Sequence, residues 1–250
     1  MQQVFKLPES IRENTEYTFC PGCGHGVAVR LLCQAIDDFN VRENAICMVG
    51  VGCTAFLYHF LDIDSLECPH GRATAEGTGV KRINPDKFVF TYQGDGDFAA
   101  IGMTESMYAG IRGENLTTIC VNNTNYGMTG GQMGPTTLLG QVTTTTPYGR
   151  DPKLNGYPVK IAEQIAKLDG TAFAARVSLD SVPNIIKAQA AIKKACEVQI
   201  KKLGYGFVEI LSPCPTNWKM SPEKANQHIR ENMMKEYPLG IFKDVTENRE

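Results

Sequence analysis

Residues 87–97, KFVFTYQGDGD, decide the fold class of this chain. They begin as a short apolar run, which is typical of a buried strand, and they end in a Gly-Asp turn. Residues 97–113 carry apolar side chains at helical spacing, so they predict a helix directly after the turn. A second apolar run, LTTICVNNTNYG at 116–127, predicts another strand that ends in an asparagine-rich loop. Strand, helix and strand in this order predict one unit of a parallel sheet.

The same alternation extends over most of the chain. Further helices are predicted at 25–39, around 160–168 and at 181–203, and further strands at 45–52, around 171–177 and at 206–214. We therefore predict the α/β class, with a mainly parallel sheet and helices on both faces. Ligands bind at the carboxyl ends of the strands in such sheets. Because Cys53, Asp95, Asn123 and Cys214 each follow a predicted strand, we expect them along one rim.

Composition narrows the class of protein. The chain has 250 residues and a net charge of −2, and this balance disfavours a nucleic-acid binder, which carries a basic surplus. No apolar run approaches the about 20 residues of a membrane span. Residues 1–17 are polar and lack the apolar stretch of a signal peptide, so we expect a cytoplasmic protein without membrane contact. Residues 128–152 are rich in glycine, threonine and proline and long for an unstructured loop, so we expect them to be functional.

The nine cysteines fall into two groups. Their odd number, without an export signal, does not predict a disulfide framework. Those in apolar patterns, which we expect to be small core residues, are Cys33, Cys47, Cys120 and Cys196. Those beside glycine or proline, which are candidate ligands, are Cys20, Cys23, Cys53 and Cys214, with Cys68 as a further candidate of no assigned role. The pair Cys20–Cys23 fits a redox dithiol, half a zinc site or half an iron–sulfur site, and four thiolates suit zinc and iron–sulfur alike.

Asp95 and the pair Asn122–Asn123 follow neighbouring predicted strands. A carboxylate, an amide oxygen and a backbone carbonyl form the kind of oxygen site that Mg²⁺ prefers. The small residues around Asp95 leave room for a diphosphate. Taken alone, each motif also fits an ordinary turn or loop. A competing motif is GVGCTA at 50–55, which fits a dinucleotide fingerprint. Residues 62–72 show no clear strand-end acid of the kind that this fingerprint requires, so we disfavour it.

The combination of motifs resembles a known family. G-D-G at 94–96 followed by N-N at 122–123 resembles the Mg–thiamine diphosphate signature. Together with C-P-G-C-G-H at 20–25, the G-C pair at 52–53 and YGMTGGQ at 126–132, it resembles the thiamine diphosphate-binding β subunit of the 2-oxoacid:ferredoxin oxidoreductases. The branch that it resembles acts on 2-oxoisovalerate or 2-oxoglutarate. The resemblance spans most of the chain and implies the thiamine diphosphate-binding fold.

The resemblance also implies a set of site residues. Magnesium ligands would be Asp95, the side chain of Asn123 and the backbone carbonyl of Asn125. The ligands of a [4Fe-4S] cluster would be Cys20, Cys23, Cys53 and Cys214. Residues that it places at the thiamine diphosphate are Gly24, His25, His70, Gly71, Arg72, Gly94, Asp95, Gly96, Asp97, Asn123, Tyr126, Gly127, Met128 and Thr129. His25 and His70 are the candidates for a catalytic role. A thiamine enzyme that oxidises a 2-oxoacid must pass on two electrons, which a cluster accepts and zinc does not; a Cys20–Cys23 dithiol is the remaining alternative.

The resemblance implies an activity and a set of partners. The activity is coenzyme A-dependent oxidative decarboxylation of a 2-oxoacid to acyl-CoA and CO₂, with electrons passing to ferredoxin. We favour branched-chain 2-oxoisovalerate over 2-oxoglutarate; an indolepyruvate-type subunit, a non-oxidative thiamine diphosphate enzyme and a zinc-stabilised binding module are further alternatives. The implied partners are an α subunit with the pyrimidine-binding domain and activating glutamate, a γ subunit or domain, and a ferredoxin-like δ subunit. The chain lacks a second domain of equal size and a ferredoxin-type cysteine run.

The expected domain organisation is simple. Residues 1–215 should form the domain that binds the diphosphate and the [4Fe-4S] cluster. Residues 216–250 should form a C-terminal extension with one helix, which packs on the same domain or on a partner subunit.

Overall fold

The chain alternates strands and helices as the sequence pattern predicts. The computed structural model describes residues 6–246. Its strands are β1 (Ala45–Val49), β2 (Asp64–Glu67), β3 (Phe88–Gly94), β4 (Thr117–Asn122), β5 (Asn125–Tyr126), β6 (Gln132–Met133), β7 (Thr171–Ser178), β8 (Tyr205–Leu211) and β9 (Gly240–Asp244). Its α-helices are α1 (His25–Asp38), α2 (Leu57–Phe60), α3 (Ala73–Ile83), α4 (Met103–Arg112), α5 (Pro152–Asn155), α6 (Ile161–Ala166), α7 (Val182–Ile200), α8 (Pro215–Trp218), α9 (Pro222–His228) and α10 (Met234–Glu236).

One sheet organises the described residues. Its strand order is β2-β1-β3-β4-β8-β7-β9, and every neighbouring pair is parallel except β7 and β9. The strands β5 and β6 form a separate antiparallel hairpin. The predicted α/β class with a mainly parallel sheet is therefore confirmed. Because β1, β3, β4 and β8 run in the same direction, the loops that follow them meet at one edge of the sheet.

The sheet is covered on both faces, which explains the continuous apolar runs that predicted it. Alternate residues of β3 enter different core clusters, since successive side chains of a strand point to opposite faces. Phe90 packs with residues of α1 and α7, such as Leu32 and Ile192. Val89 packs with residues of α3, α4 and α6, such as Ala109 and Ile165.

Both edge strands escaped the sequence pattern. The strand β2 is exposed at all four positions, so it has no apolar run to reveal it. The strand β9 lies in the C-terminal extension, where we expected one helix; the extension instead forms several short helices and then β9. Its side chains Ile229, Met233 and Tyr237 pack against Leu138 and Leu211. The described part of the extension thus contacts earlier residues of this chain.

The predicted helix at 97–113 has an irregular start. A π-helical turn at Asp97–Ile101 precedes α4, and Gly113 ends α4 in a left-handed conformation with φ of 62°. Glycine adopts this conformation without the steric penalty that other residues meet. Elsewhere, within residues 6–246, no helix combines the length and apolar character that a bilayer crossing needs.

Candidate functional site

A cleft of about 110 Å³ lies where β1, β3 and β4 end. The residues that line it are His25, Val51, Gly52, Cys53, Thr54, His70, Gly94, Asp95, Gly96, Asp97, Asn123, Asn125, Tyr126, Gly127, Met128 and Thr129. A larger cavity of about 480 Å³ lies between β7, β9 and α7. We take the smaller cleft as the candidate site. Of these two cavities, it alone brings together carboxylate, amide, imidazole and thiol groups.

Asp95 is a buried carboxylate that pairs with no cationic side chain of residues 6–246. It follows β3 and is 1% exposed. The Thr136 hydroxyl donates a hydrogen bond to its Oδ2, and the backbone N–H of Gly96 supports it as well. Burial raises the pKa of Asp95 to about 7. A buried carboxylate in such surroundings fits a bound cation, because the cation would offset the loss of hydration.

Two asparagines, Asn123 and Asn125, follow β4 and line the same cleft as Asp95. After β4 the chain turns sharply at Thr124, whose φ is 58°. The turn is held by the Asn125 side chain, which donates to the Asn123 carbonyl at 2.7 Å. A Cβ atom on Gly134 would lie 3.4 Å from Asp95 Oδ2 and 3.6 Å from the Asn125 carbonyl carbon, so both groups border one point. Carboxylate, amide and carbonyl oxygens fit the ligand chemistry of Mg²⁺.

Glycines keep the cleft open on its other side. A Cβ on Gly94 would meet nothing within 4 Å, and neither would one on Gly52. Gly96 has a different reason to lack a side chain, since the ring of Tyr126 lies against it. Gly94 and Gly52 both line the cleft, and the open space in front of them fits a phosphate-bearing ligand that approaches the backbone closely.

Asp97 ties the loops of the rim together. Its carboxylate accepts hydrogen bonds from the Gln93 side chain at 2.5 Å and from the Gly71 N–H at 2.8 Å. It also lies 2.5 Å from His70 Nδ1, and the Val51 N–H reaches it at 3.4 Å. These contacts fix His70 through Nδ1 and leave Nε2 as its available ring nitrogen. Asp97 lines the cleft, but its oxygens are committed to protein donors.

His25 is held just as firmly at the other wall. It is the first residue of α1 and is 2% exposed. Its Nδ1 lies 2.9 Å from the Tyr92 hydroxyl, and its ring stacks on Phe19 at 5.1 Å between centroids. Burial lowers the pKa of His25 to about 4, so the imidazole is neutral at pH 7.

The four loop cysteines lie next to this cleft and influence one another. Burial raises the pKa of the Cys23 thiol to about 11 and that of Cys53 to about 12, and the neighbouring thiols add to both shifts. Burial also raises the pKa of Cys214, with a further contribution from Cys20. Asn217 donates to Cys214 Sγ at 3.5 Å. Each thiol therefore lies within electrostatic reach of the others.

The described His, Cys, Asp and Glu side chains do not meet the requirements of a single-ion metal site on their own. Within residues 6–246, no three His, Cys, Asp or Glu side chains are gathered closely enough to hold one metal ion. A structural zinc ion requires four ligands packed as a tetrahedron around a single atom. Cys20, Cys23, Cys53 and Cys214 do not form such a group in this structure. Cys20 is exposed.

Three predicted cofactor residues do not line the cleft. Gly24 packs against Ser212, where a side chain would have no room. Gly71 contributes its N–H to Asp97 instead. Arg72 points to α4, where its guanidinium lies 2.8 Å from a Glu105 carboxylate oxygen.

Sequence reasoning missed several polar residues of the site. Thr136 reaches Asp95, Gln93 reaches Asp97, and Asn217 reaches both Cys214 and the Gly127 carbonyl. Trp218 donates its ring N–H to the Asn123 carbonyl at 3.2 Å. Only Thr136 had a signal, since it lies in the long 128–152 segment that we expected to be functional.

Comparison with known proteins gives consistent matches. Residues 19–210 match the family described as "Thiamine pyrophosphate enzyme, C-terminal TPP binding domain". The chain is 44% identical over 252 aligned positions to the ketoisovalerate oxidoreductase subunit VorA of Methanothermobacter thermautotrophicus, covering 97% of this chain and 53% of that protein. It is 35% identical over 242 positions to the 2-oxoglutarate synthase subunit KorB of Methanocaldococcus jannaschii, covering 94% of this chain and 84% of that protein. The chain thus spans about half the length of the VorA relative and most of KorB.

A solved structure shares the fold. The 2-oxoglutarate:ferredoxin oxidoreductase from Magnetococcus marinus superposes with a TM-score of 0.74 and 23% identity. The superposition covers 98% of this chain and 87% of that one.

Proposed function

The chain belongs to the thiamine pyrophosphate-binding subunits of the 2-oxoacid:ferredoxin oxidoreductases, and we propose that it carries out the cofactor-binding part of that reaction. The proposed reaction is the coenzyme A-dependent oxidative decarboxylation of a 2-oxoacid to acyl-CoA and CO₂. Electrons pass through a [4Fe-4S] cluster to ferredoxin. We propose the cytoplasm as the place of action and residues 1–215 as the domain that holds both cofactors, with residues 216–250 as its extension.

The observation that carries this proposal is the surroundings of Asp95. A buried carboxylate, unpaired with any cation of the described part of the chain, lies beside the Asn125 backbone in a cleft that Asn123 and open glycines also line. We infer that Asp95, Asn123 and the Asn125 carbonyl hold Mg²⁺, and that the loops beginning at Gly94 and Tyr126 hold the diphosphate. Thiamine diphosphate, when bound, supplies the electron sink that removes CO₂ from a 2-oxoacid. The protein binds and orients it.

The two histidines have different proposed roles. His25 is neutral and fixed by Tyr92, so it can present an uncharged wall beside the cofactor without exchanging a proton near pH 7. His70 is fixed by Asp97 through Nδ1 and keeps Nε2 for a hydrogen bond to the cofactor or the substrate. We therefore propose His70 as the stronger candidate for a chemical role.

We further propose that Cys20, Cys23, Cys53 and Cys214 hold the [4Fe-4S] cluster. Their mutual electrostatic influence and the position of Cys53 on the wall of the cleft support this assignment. A cluster at this place would touch the cofactor side through Cys53 and the surface through Cys20. That arrangement suits the transfer of electrons from a buried cofactor to an external acceptor.

The proposed substrate is branched-chain 2-oxoisovalerate. The 44% identity to a ketoisovalerate oxidoreductase subunit, against 35% to a 2-oxoglutarate synthase subunit, favours it. 2-Oxoglutarate is the second candidate. The proposed partners are an α subunit that supplies the pyrimidine-binding domain and its activating glutamate, a γ subunit or domain, and a ferredoxin-like δ subunit. Activity of the assembled complex on both oxoacids, measured by ferredoxin reduction, decides between the substrates.

The proposed cofactor site is tested by replacing its charged ligand. Wild-type chain should bind thiamine diphosphate only when Mg²⁺ is present, and Asp95→Ala should abolish this binding in calorimetric titrations. Asp180→Ala is the matched control, because Asp180 is also buried but pairs with Arg230. Full binding by the Asp95 variant would refute the assignment.

The proposed cluster has an independent test. The chain purified without oxygen should be brown and contain about four iron atoms. A colourless protein with one zinc per chain would refute the cluster.

A further inference from the structure

Arg150 is a buried cation that pairs with no acidic side chain of residues 6–246. It is 5% exposed, and among the described residues its hydrogen bonds go to backbone carbonyls rather than to a carboxylate. Burial lowers the pKa of its guanidinium. Burying a charge and holding it only with carbonyls is costly, and arginine's fork of fixed donors can bind several of them at once. Packing alone therefore does not explain why this charged side chain is buried.

The carbonyls that Arg150 binds belong to two separate segments. One arm of the guanidinium, Nη1, donates to Thr137 at 2.6 Å, to Pro135 at 3.1 Å and to Gly134 at 3.4 Å. The remaining donors reach the segment 155–157, with distances of 2.9 to 3.3 Å. Arg150 thus holds the segment 134–137 against residues 155–157.

Thr136 lies between the carbonyls that Arg150 holds. The residues on both of its sides, Pro135 and Thr137, are held by Arg150, and its own carbonyl accepts from the Tyr237 hydroxyl at 2.5 Å. Thr136 is 0% exposed, and its hydroxyl donates to Asp95 Oδ2. Its backbone therefore has little freedom, and its hydroxyl is aimed at the carboxylate.

We propose that Arg150 and Tyr237 are positioning residues that act through Thr136 to aim the Asp95 carboxylate at the Mg²⁺ of the cofactor site. The inference rests on the proposed function. Residues that hydrogen-bond a metal-binding carboxylate fix its direction, and their loss typically weakens metal binding by about 10–100-fold. The 128–152 segment would then act as a brace for the metal site.

The test uses the full chain and its only tryptophan. Trp218 contacts Asn123 directly, so its fluorescence should report occupation of the site. Mg²⁺ is titrated at saturating thiamine diphosphate. Thr136→Val, which removes the hydroxyl at constant volume, should weaken Mg²⁺ binding about tenfold. Thr136→Ser, which restores the hydroxyl, should bind Mg²⁺ within about twofold of the wild type. Thr171→Val is the matched control, since it loses a buried hydroxyl bonded to the Ile165 carbonyl far from the cleft.

Two variants test the action through Thr136. Arg150→Lys keeps the charge but loses the fork, and it should weaken Mg²⁺ binding about tenfold. Tyr237→Phe removes only a hydroxyl, so the fold should be retained. This variant should weaken Mg²⁺ binding about threefold. The double variants with Thr136→Val should bind no more weakly than Thr136→Val alone, because both act on one hydroxyl.

The outcomes separate the two proposals. Wild-type Mg²⁺ affinity in both Thr136→Val and Tyr237→Phe, while the wild-type chain binds the cofactor, would overturn this inference alone. Multiplied losses in the double variants would also overturn it, since the residues would then act independently. A wild-type chain that shows no Mg²⁺-dependent binding of thiamine diphosphate even together with its α subunit would overturn the proposed function itself.

Discussion

Two of the buried carboxylates, Glu209 and Asp95, have different surroundings. Glu209, in the middle of β8, is 0% exposed and lies 2.9 Å from Arg176 Nε, while Asn122 donates to it at 2.7 Å. Asp95, at the end of β3, is buried almost as deeply. Within the described part of the chain, its carboxylate accepts hydrogen bonds from the Thr136 hydroxyl and from backbone N–H groups. The charge of Glu209 inside the sheet is therefore paired with Arg176, and the charge of Asp95 at the rim is left for a ligand.

This difference separates structural from functional burial. A paired charge stabilises the fold only while its partner remains, whereas an unpaired one lowers the stability of the ligand-free protein and gains when a cation binds. Four changes, ordered by expected effect, test this view.

The largest effect is expected for Arg176→Met. Arg176 is fully buried and pairs with Glu209 and Glu163, so its loss leaves Glu209 charged and unpaired inside the sheet. The free energy of unfolding should fall by about 3–5 kcal/mol, measured by urea denaturation. A loss below about 1 kcal/mol would mean that the sheet interior does not depend on this pairing, and the comparison with Asp95 would fail.

Asp95→Asn should have the opposite sign in metal-free protein. The pKa of Asp95 rises from its ordinary 3.8 to about 7, so the folded chain binds more protons than the unfolded chain between these values. Its contribution therefore lowers stability as the pH rises from about 4 to 7. At pH 7.5, with Mg²⁺ removed by a chelator, Asp95→Asn should be more stable than the wild type by about 4 kcal/mol.

The pH dependence should be measured as the difference in free energy of unfolding between Asp95→Asn and the wild type. Burial lowers the pKa of His25 to about 4, so His25 contributes stability that rises with pH from about 4 to 6.5 and masks the Asp95 effect in the wild type alone. Subtracting the two stability curves cancels His25. A difference that stays constant from pH 4 to 7 would show that Asp95 is not an uncompensated charge.

Arg230→Met tests an intermediate case. Asp180 is buried, but the side chain of Arg230 is 47% exposed, and water can replace part of the 3.3 Å contact between them. We expect a loss of about 1 kcal/mol in thermal or urea unfolding. A loss as large as that of Arg176→Met would show that partner exposure does not set the cost.

The smallest effect is expected for Lys201→Ala. Lys201 and Glu197 form an exposed pair one turn apart on α7. Solvent screens such pairs, and the loss should stay below about 0.5 kcal/mol and shrink further in high salt. A larger loss that persists in salt would indicate that Lys201 stabilises α7 by packing and not by charge.

The sequence revealed the strands and the groups at their ends for one physical reason. Parallel strands buried on both faces must be apolar, and their ends converge by geometry, so Asp95, Asn123 and Cys53 could be placed on one rim. Thr136 and Gln93 could not be assigned, because the contacts that give them a role arise only when loops fold back on the rim. The strand β2 is polar and exposed, and no periodicity distinguishes it from a loop.

The antiparallel strand β9 has a consequence for the order in which the chain forms during translation. It pairs with β7, whose outer edge is otherwise open, and its residues lie more than sixty positions later in the chain. Until the ribosome has released residues 240–244, β7 presents unpaired N–H and C=O groups, which is the kind of edge that recruits another chain. A nascent chain stalled before this point would therefore need a chaperone to cover β7. Pairing of β9 then covers this edge of the sheet.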